Sequence, residues 1–438
     1  MTGDARTADV TSGDVTSGDA GTGEQRKPPG GWTPYVLRFF SYGAWGVLYP
    51  FFPVWLLDSG LFTAGGVGLI VGAAVLANRL GSLAFVRVLR PGSERNFIIG
   101  SQAAIAAAAA AMCLMGLLSV RSLAGWLLLS MVFGLASSLA TLAQLTLIVH
   151  QFDSAQTRRA FSYENIALNA AGGLAPLVSS LAYTASERFY ALAPIGFAAV
   201  GILLAARLAG RSAPPSGAPA AARPAAPGRR VVAILLAANF LTTVAYAQFY
   251  GVFSAYATPL LGARSVGLLF AAGSVAIVLL QALVTRWSRT LGEPALVVIS
   301  NLALGAGTAL LVAAGAGMPV MLLAVLGITL GEMIYGPVYQ TLAVGISGGR
   351  PALAIGTLTF VWGLAESLAV VAGLALIGAG LGPVSFLGGA AAALAATVLV
   401  VVFRRHFTAM AACAAVTPTD VTSTDATATE PAKAPAHS

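Results

Sequence analysis

Residues 210–230 read GRSAPPSGAPAAARPAAPGRR. The segment consists of small residues and proline, is basic at both ends and has no apolar periodicity, so it predicts a flexible, water-exposed linker. On either side lies a block of long apolar runs, and each block divides into six. The first block predicts helices over 33–57, 65–87, 97–120, 123–150, 160–183 and 189–208. The second predicts helices over 231–256, 265–286, 295–316, 319–346, 352–379 and 383–403. Each is long enough to cross a hydrocarbon core of about 30 Å at about 1.5 Å per residue. The plan is a disordered tail over 1–31, a six-helix bundle over 32–209, the linker 210–230, a second bundle over 231–405 and a disordered tail over 406–438.

Composition supports an all-α membrane protein. Of the 438 residues, 57% are hydrophobic and 9% are charged, whereas about a quarter of a soluble domain is charged. The net charge of +8 does not point to nucleic acid, because the basic residues sit in short loops between apolar runs. Cys113 and Cys413 provide neither a disulfide framework nor a metal motif. The near-repeat TSGDVTSGDAGTGE at 11–24 lacks the apolar core of a cleavable signal. The chain has no Gly-rich phosphate loop followed by lysine, and its histidines, His150, His406 and His437, join no catalytic or metal constellation. No enzyme activity, cofactor or metal is therefore expected.

Arginine sets the orientation. Arg26, Lys27, Arg87, Arg90, Arg95, Arg158, Arg159, the linker arginines, Arg286, Arg289, Arg350, Arg404 and Arg405 fall on one side. The other side holds Arg121, Arg188 and Arg264. By the positive-inside rule both termini and the linker are expected in the cytoplasm of a cell membrane protein, which requires an even number of spans, here twelve. The blocks also repeat each other. Val67-Gly68-Leu69 and Val266-Gly267-Leu268 open corresponding helices, and Arg87, Arg90 and Glu94 match Arg286, Arg289 and Glu293 at the same offset of 199. Two parallel six-helix repeats are an architecture of secondary transporters.

Polar residues recur every third helix. The first predicted helix carries Arg38, Tyr42, Trp45 and Tyr49 on one face, and the fourth carries Ser137, Thr141 and Gln144. The seventh carries Asn239, Thr243, Tyr246, Tyr250 and Ser254, and the tenth carries Glu332, Tyr335 and Tyr339. The third, sixth, ninth and twelfth are nearly uniform Ala, Leu, Gly and Val, as in AIAAAAAAMCLMGLL at 104–118. Polar stripes are costly against lipid, so the striped helices are expected to surround a central path.

On these residues the chain resembles the major facilitator superfamily over roughly 33–405. The resemblance implies two pseudosymmetric bundles whose first, fourth, seventh and tenth helices line a cavity, and a monomer. After the second helix the family keeps a Gly-x-x-x-Asp-Arg-x-Gly-Arg-Arg motif. Here GSLAFVRVLRPGSERN carries Gly81, Arg87, Arg90, Gly92 and Arg95 without the aspartate, and Glu94 stands as a partial substitute. The fifth helix, RAFSYENIALNAAGGLAPLVSS, is similar to the family's antiporter helix through Gly172 and Pro176. GEMIYGPVYQ at 331–340 is similar to bacterial drug exporters, so the resemblance implies a drug:proton antiporter.

Charges within the spans each cost about 2.5–3.5 kcal/mol at mid-helix on insertion scales, and so mark candidate sites. Glu332, on the tyrosine-bearing face, is the leading proton carrier; it would equally attract a cationic cargo, or partner Arg38 or a tyrosine hydroxyl. Glu366 shares a face with Trp362 and Thr359 and reads as a second proton site or as a tie between the eleventh and second helices. Arg79, beside Asn78, reads as an interface or gating residue together with Gly81, Arg87, Arg90, Glu94, Gly172 and Pro176. An ion pair from Arg38 or Arg79 to a cavity carboxylate would make a gate. Glu164 reads as a carboxylate favoured at a helix N-terminus, a placement that needs no role in transport. Trp45, Trp362 and the tyrosines suit a flat, lipophilic cargo.

The expected function is a proton-coupled exporter of a small amphipathic molecule. The first alternative is a proton symporter that imports a metabolite, since FFPVWLLDSGL at 51–61 also resembles importers of the superfamily. The second is a non-transporting receptor or scaffold with the same fold.

Overall fold

The computed structural model describes residues 31–85, 88–89, 92–151, 154–208, 228–347 and 351–415. The linker up to 227, the tails 1–30 and 416–438, and Arg87 and Arg90 lie outside the described residues. All regular structure among the described residues is helical. Eleven helical segments are long and apolar enough to cross a membrane.

The first apolar run does not form one helix. It divides into α1 (Thr33–Leu48) and α2 (Phe52–Asp58), because Pro50 and Pro53 in LYPFFP remove two backbone donors and obstruct the preceding turn. The carbonyls at this break find another donor: the Tyr190 hydroxyl lies 2.5 Å from that of Leu48 and 3.1 Å from that of Val47.

The chain continues through α3 (Ala64–Phe85), α4 (Glu94–Leu117), α5 (Leu123–Gln151) and α6 (Ser154–Ala185). A 3-10 turn over Glu187–Leu192 leads into α7 (Ala193–Ala206). Beyond the linker, α8 (Arg229–Ala247) passes through a π turn, Gln248–Val252, into α9 (Phe253–Leu261). There follow α10 (Ala263–Ser288), α11 (Glu293–Leu310) with a 3-10 extension to Ala316, α12 (Met318–Gly345), α13 (Pro351–Gly378) and α14 (Gly382–Val402). A last helix, α15 (Arg404–Ala415), corrects the expectation of a disordered tail from 406. Phe407 and Met410 share one face of it and are fully buried against α12 and α11, a short apolar spacing hidden in an Ala- and Thr-rich composition.

Before the linker, α3 packs on α5, α4 on α5 and α7, and α1 on α6 and α7. After it, α11 packs on α12 and α14, and α8 on α13 and α14. Small residues allow the backbones to approach: at Gly134 of α5 an added Cβ would lie 2.2 Å from the Ala74 carbonyl of α3.

Two antiparallel seams join the parts of the chain on either side of the linker. Along α3 and α13, Ala64 meets Gly378, Gly72 meets Ser367, Arg79 crosses Gly363, and Leu83 meets Gly356. Along α6 and α10, Gly173 meets Ser274 and Ser180 meets Gly267. At the end remote from the termini α2 also touches α9; among the described residues no comparable contact joins α5 to α12.

Candidate functional site

The π turn after α8 positions the first group of side chains. Gln248 holds it, accepting from the Ser385 hydroxyl at 2.7 Å and donating to the Val244 carbonyl at 3.3 Å. Tyr246 and Tyr250 then lie with ring centroids 4.6 Å apart, and both hydroxyls point to Glu332 of α12. Tyr250 donates to its carboxylate at 2.7 Å and Tyr246 at 3.4 Å. Glu332 is half-buried and has no cationic partner among the described residues. One turn beyond it, Pro337 removes the helical donor to the Met333 carbonyl, and Gln281 of α10 supplies a donor at 3.3 Å. The helix carrying Glu332 is thus tied to α10 beside this proline.

Glu366 of α13 is held differently. Its carboxylate pairs with Arg79 of α3 at 3.1 Å and accepts from the Tyr49 hydroxyl at 3.3 Å. The Arg79 guanidinium lies 4.9 Å from the Trp362 ring centre, a cation–π distance. Gly363 makes the crossing possible, since a Cβ there would lie 2.4 Å from that of Arg79. Tyr49 stands at the break between α1 and α2, and its hydroxyl also closes on Gly251 of the π turn, 2.8 Å from where a Cβ would sit.

Arg38 is paired within the first part of the chain, with Glu164 at 2.5 Å and the Thr141 hydroxyl at 3.0 Å. Its partner is neither Glu332 nor Glu366. This corrects the helix-terminus reading of Glu164: α6 starts at Ser154, so the carboxylate lies well inside the helix and serves as the counter-ion of a buried arginine.

The Tyr42 ring centre lies 5.7 Å from the Arg38 guanidinium. Beside its ring is Gly172, where a Cβ would lie 3.9 Å away. Pro176 deprives the Gly172 carbonyl of its helical donor. Trp45 stacks between Tyr49 at 5.0 Å and Phe133 at 5.9 Å.

The other expected residues fall elsewhere. Asn239, Tyr335 and Tyr339 are buried in a network that ties α8 to α12 and α11. Tyr335 donates to Asn239 at 2.9 Å and accepts from Thr243 at 2.8 Å; Tyr339 pairs with Thr242 at 2.9 Å, and Thr242 reaches Asn301 at 2.8 Å. Tyr335 packs behind the rings of Tyr246 and Trp362, with centroids 6.3 and 5.1 Å away. Gly81 packs on Ser138 of α5, within the first part of the chain, and Glu94 is buried in the first turn of α4. Gln144, Ser41 and Ser137 are buried with side-chain polar atoms that find no hydrogen-bond partner among the described residues, as is the Trp362 indole N–H.

The charges then sum simply. Arg38 cancels Glu164 and Arg79 cancels Glu366, which leaves Glu332 as the carboxylate of this region without a cation. It is walled by Tyr246, Tyr250 and, beyond Tyr246, Trp362, a setting that can hold a proton or a small cation. No group of three His, Cys, Asp or Glu residues suited to a metal occurs among the described residues.

No family model and no curated protein sequence matches the chain. Solved structures do. A peptide transporter POT in complex with sulfate superposes with a TM-score of 0.72 at 14% identity, covering 87% of this chain and 96% of that one. A POT family transporter in complex with 5-aminolevulinic acid gives 0.70 at 11%, covering 87% and 97%. A D-xylose-proton symporter gives 0.62 at 13%, covering 84% and 95%. The chain therefore has the all-helical fold of these membrane transporters. The drug-exporter branch implied by GEMIYGPVYQ finds no support among them.

Proposed function

We propose that this chain is a proton-coupled secondary transporter of a small organic molecule, working by alternating access between two six-helix bundles. The broken pair α1–α2 makes the twelfth span. Glu332 carries the reading: it is a carboxylate in the membrane region with phenols and no cation around it. The fold shared with transporters, one described as a proton symporter, supports the same class. The α2–α9 contact, unmatched between α5 and α12, suits a conformation open toward the termini. Both termini then lie in the cytoplasm and the monomer is the working unit, on the arginine distribution and the resemblance.

Charge decides between exchange and symport. A cationic cargo and a proton would compete for Glu332, which makes the protein an antiporter exporting an amphipathic cation. A neutral or anionic cargo would bind beside a protonated Glu332, which makes it a symporter; the proton symporter among the similar folds favours this second reading. In both, Tyr42, Trp45, Tyr49, Tyr246, Tyr250 and Trp362 supply the aromatic wall of the cavity.

The test is proteoliposomes with an internal pH dye, challenged with a panel of lipophilic cations and small neutral metabolites. Proton movement out on cation entry supports exchange, and proton entry with a neutral cargo supports symport. Each must vanish in Glu332→Gln. Cargo-dependent proton flux that survives the substitution removes Glu332 from the role. A panel that moves no protons and no cargo leaves a receptor or scaffold as the better account.

A further inference from the structure

Away from the transport site, four arginines gather where α8 begins and α14 ends. Arg229 and Arg230 open α8, Arg404 and Arg405 open α15, and all four are exposed. The Arg230 guanidinium lies 5.8 Å from the Phe403 ring, which brings the two pairs to one corner. Phe403 in turn meets His406 edge-on at 5.7 Å. Among the described residues no carboxylate pairs with any of the four arginines.

This corner is a built surface. The chain leaves helical geometry at Phe403, and α15 is then fixed to α12 and α11 by the buried Phe407 and Met410. The arginines are therefore held at the membrane end of the spans. Just inside them α14 turns an apolar strip outward, with Val398, Val401 and Val402 each more than half exposed. Unpaired positive charge bordering an apolar, lipid-facing strip matches an amphiphile with an anionic head. Guanidinium forks bind phosphate oxygens in pairs, and each basic residue near an anionic surface adds about 1 kcal/mol. A zwitterionic lipid offers the same phosphate with its charge already offset.

From this arrangement we infer that the α8–α14–α15 corner is a binding site for an anionic phospholipid. The headgroup phosphate sits among Arg229, Arg230, Arg404 and Arg405, and an acyl chain lies along Val398 and Val402. The site is independent of the cargo and of the direction of transport.

The experiment is native mass spectrometry of the purified full chain, offered phosphatidylglycerol and phosphatidylcholine in equal amounts. The wild type should retain phosphatidylglycerol about tenfold more than phosphatidylcholine. Arg230→Gln/Arg404→Gln should lose that preference, and the Lys versions should keep part of it. Arg286→Gln/Arg289→Gln removes two exposed arginines at the end of α10 and should leave the preference intact. Equal retention of the two lipids by the wild type overturns the inference without recourse to any variant. So does an equal loss in the α10 control, which would reduce the corner to diffuse surface charge. Displacement of the lipid by millimolar inorganic phosphate would assign the arginines to a soluble anion and overturn it too.

Discussion

Glu332 and Glu366 occupy neighbouring helices, and each takes hydrogen bonds from tyrosines, yet they are different groups chemically. Glu366 faces Arg79 across the α3–α13 seam and forms an ion pair with it. Among the described residues Glu332 is hydrogen-bonded by the phenols of Tyr246 and Tyr250 and by no cation. Neutralising Glu366 strands the Arg79 charge, whereas neutralising Glu332 strands nothing. The proposed function therefore assigns proton exchange to Glu332 and a structural tie to Glu366. Tyr49 connects them indirectly, since it bonds to Glu366 and packs on Gly251 of the π turn that carries Tyr250.

The largest expected contrast lies at the ion pair. Arg79→Met leaves the buried Glu366 without its cation and should destabilise the protein by roughly 3 kcal/mol, the low end for a broken buried pair, because the Arg79 side chain is 31% exposed. Adding Glu366→Leu should restore most of the loss, as read by thermal unfolding in detergent. No recovery would mean that the pair contributes more than charge compensation. Glu332→Gln should hardly move that unfolding temperature. It should weaken binding of a cationic cargo by roughly 10- to 100-fold, equivalent to the ~1.5–3 kcal/mol of a hydrogen bond to a charged group. An equal loss of stability at both carboxylates would erase the distinction between them. The smallest effect separates the two phenols. Tyr250→Phe should cost up to about tenfold in cargo affinity and Tyr246→Phe less, since the first bond is 2.7 Å and the second 3.4 Å. The reverse order would place the cargo on the Tyr246 side of the carboxylate.

Much of the architecture was legible locally. The lengths of the apolar runs, which make long membrane-crossing helices, needed only composition and a helical rise. The stripe on the tenth helix groups Glu332 with Tyr335 and Tyr339, whereas the phenols that bond to it come from Tyr246 and Tyr250 of α8 and the π turn that follows it. The break at Pro50 was equally visible in LYPFFP, but hydrophobic length outweighed it in predicting a single helix over 33–57. The π turn left no mark in the sequence, since Gln248–Val252 has ordinary apolar composition.

Partnership was the part that only the tertiary structure decided. Arg79 and Glu366 lie 287 positions apart and Tyr250 and Glu332 lie 82 apart, so their meeting depends on how helices cross. The same crossing turned Arg38 to Glu164 and buried Asn239, Tyr335 and Tyr339 in a network of their own. Helical periodicity states which side chains share a face, because that geometry repeats within one turn. Which face meets which, and hence which carboxylate keeps a cation and which does not, comes from close packing between helices at small residues such as Gly134, Gly173 and Gly363.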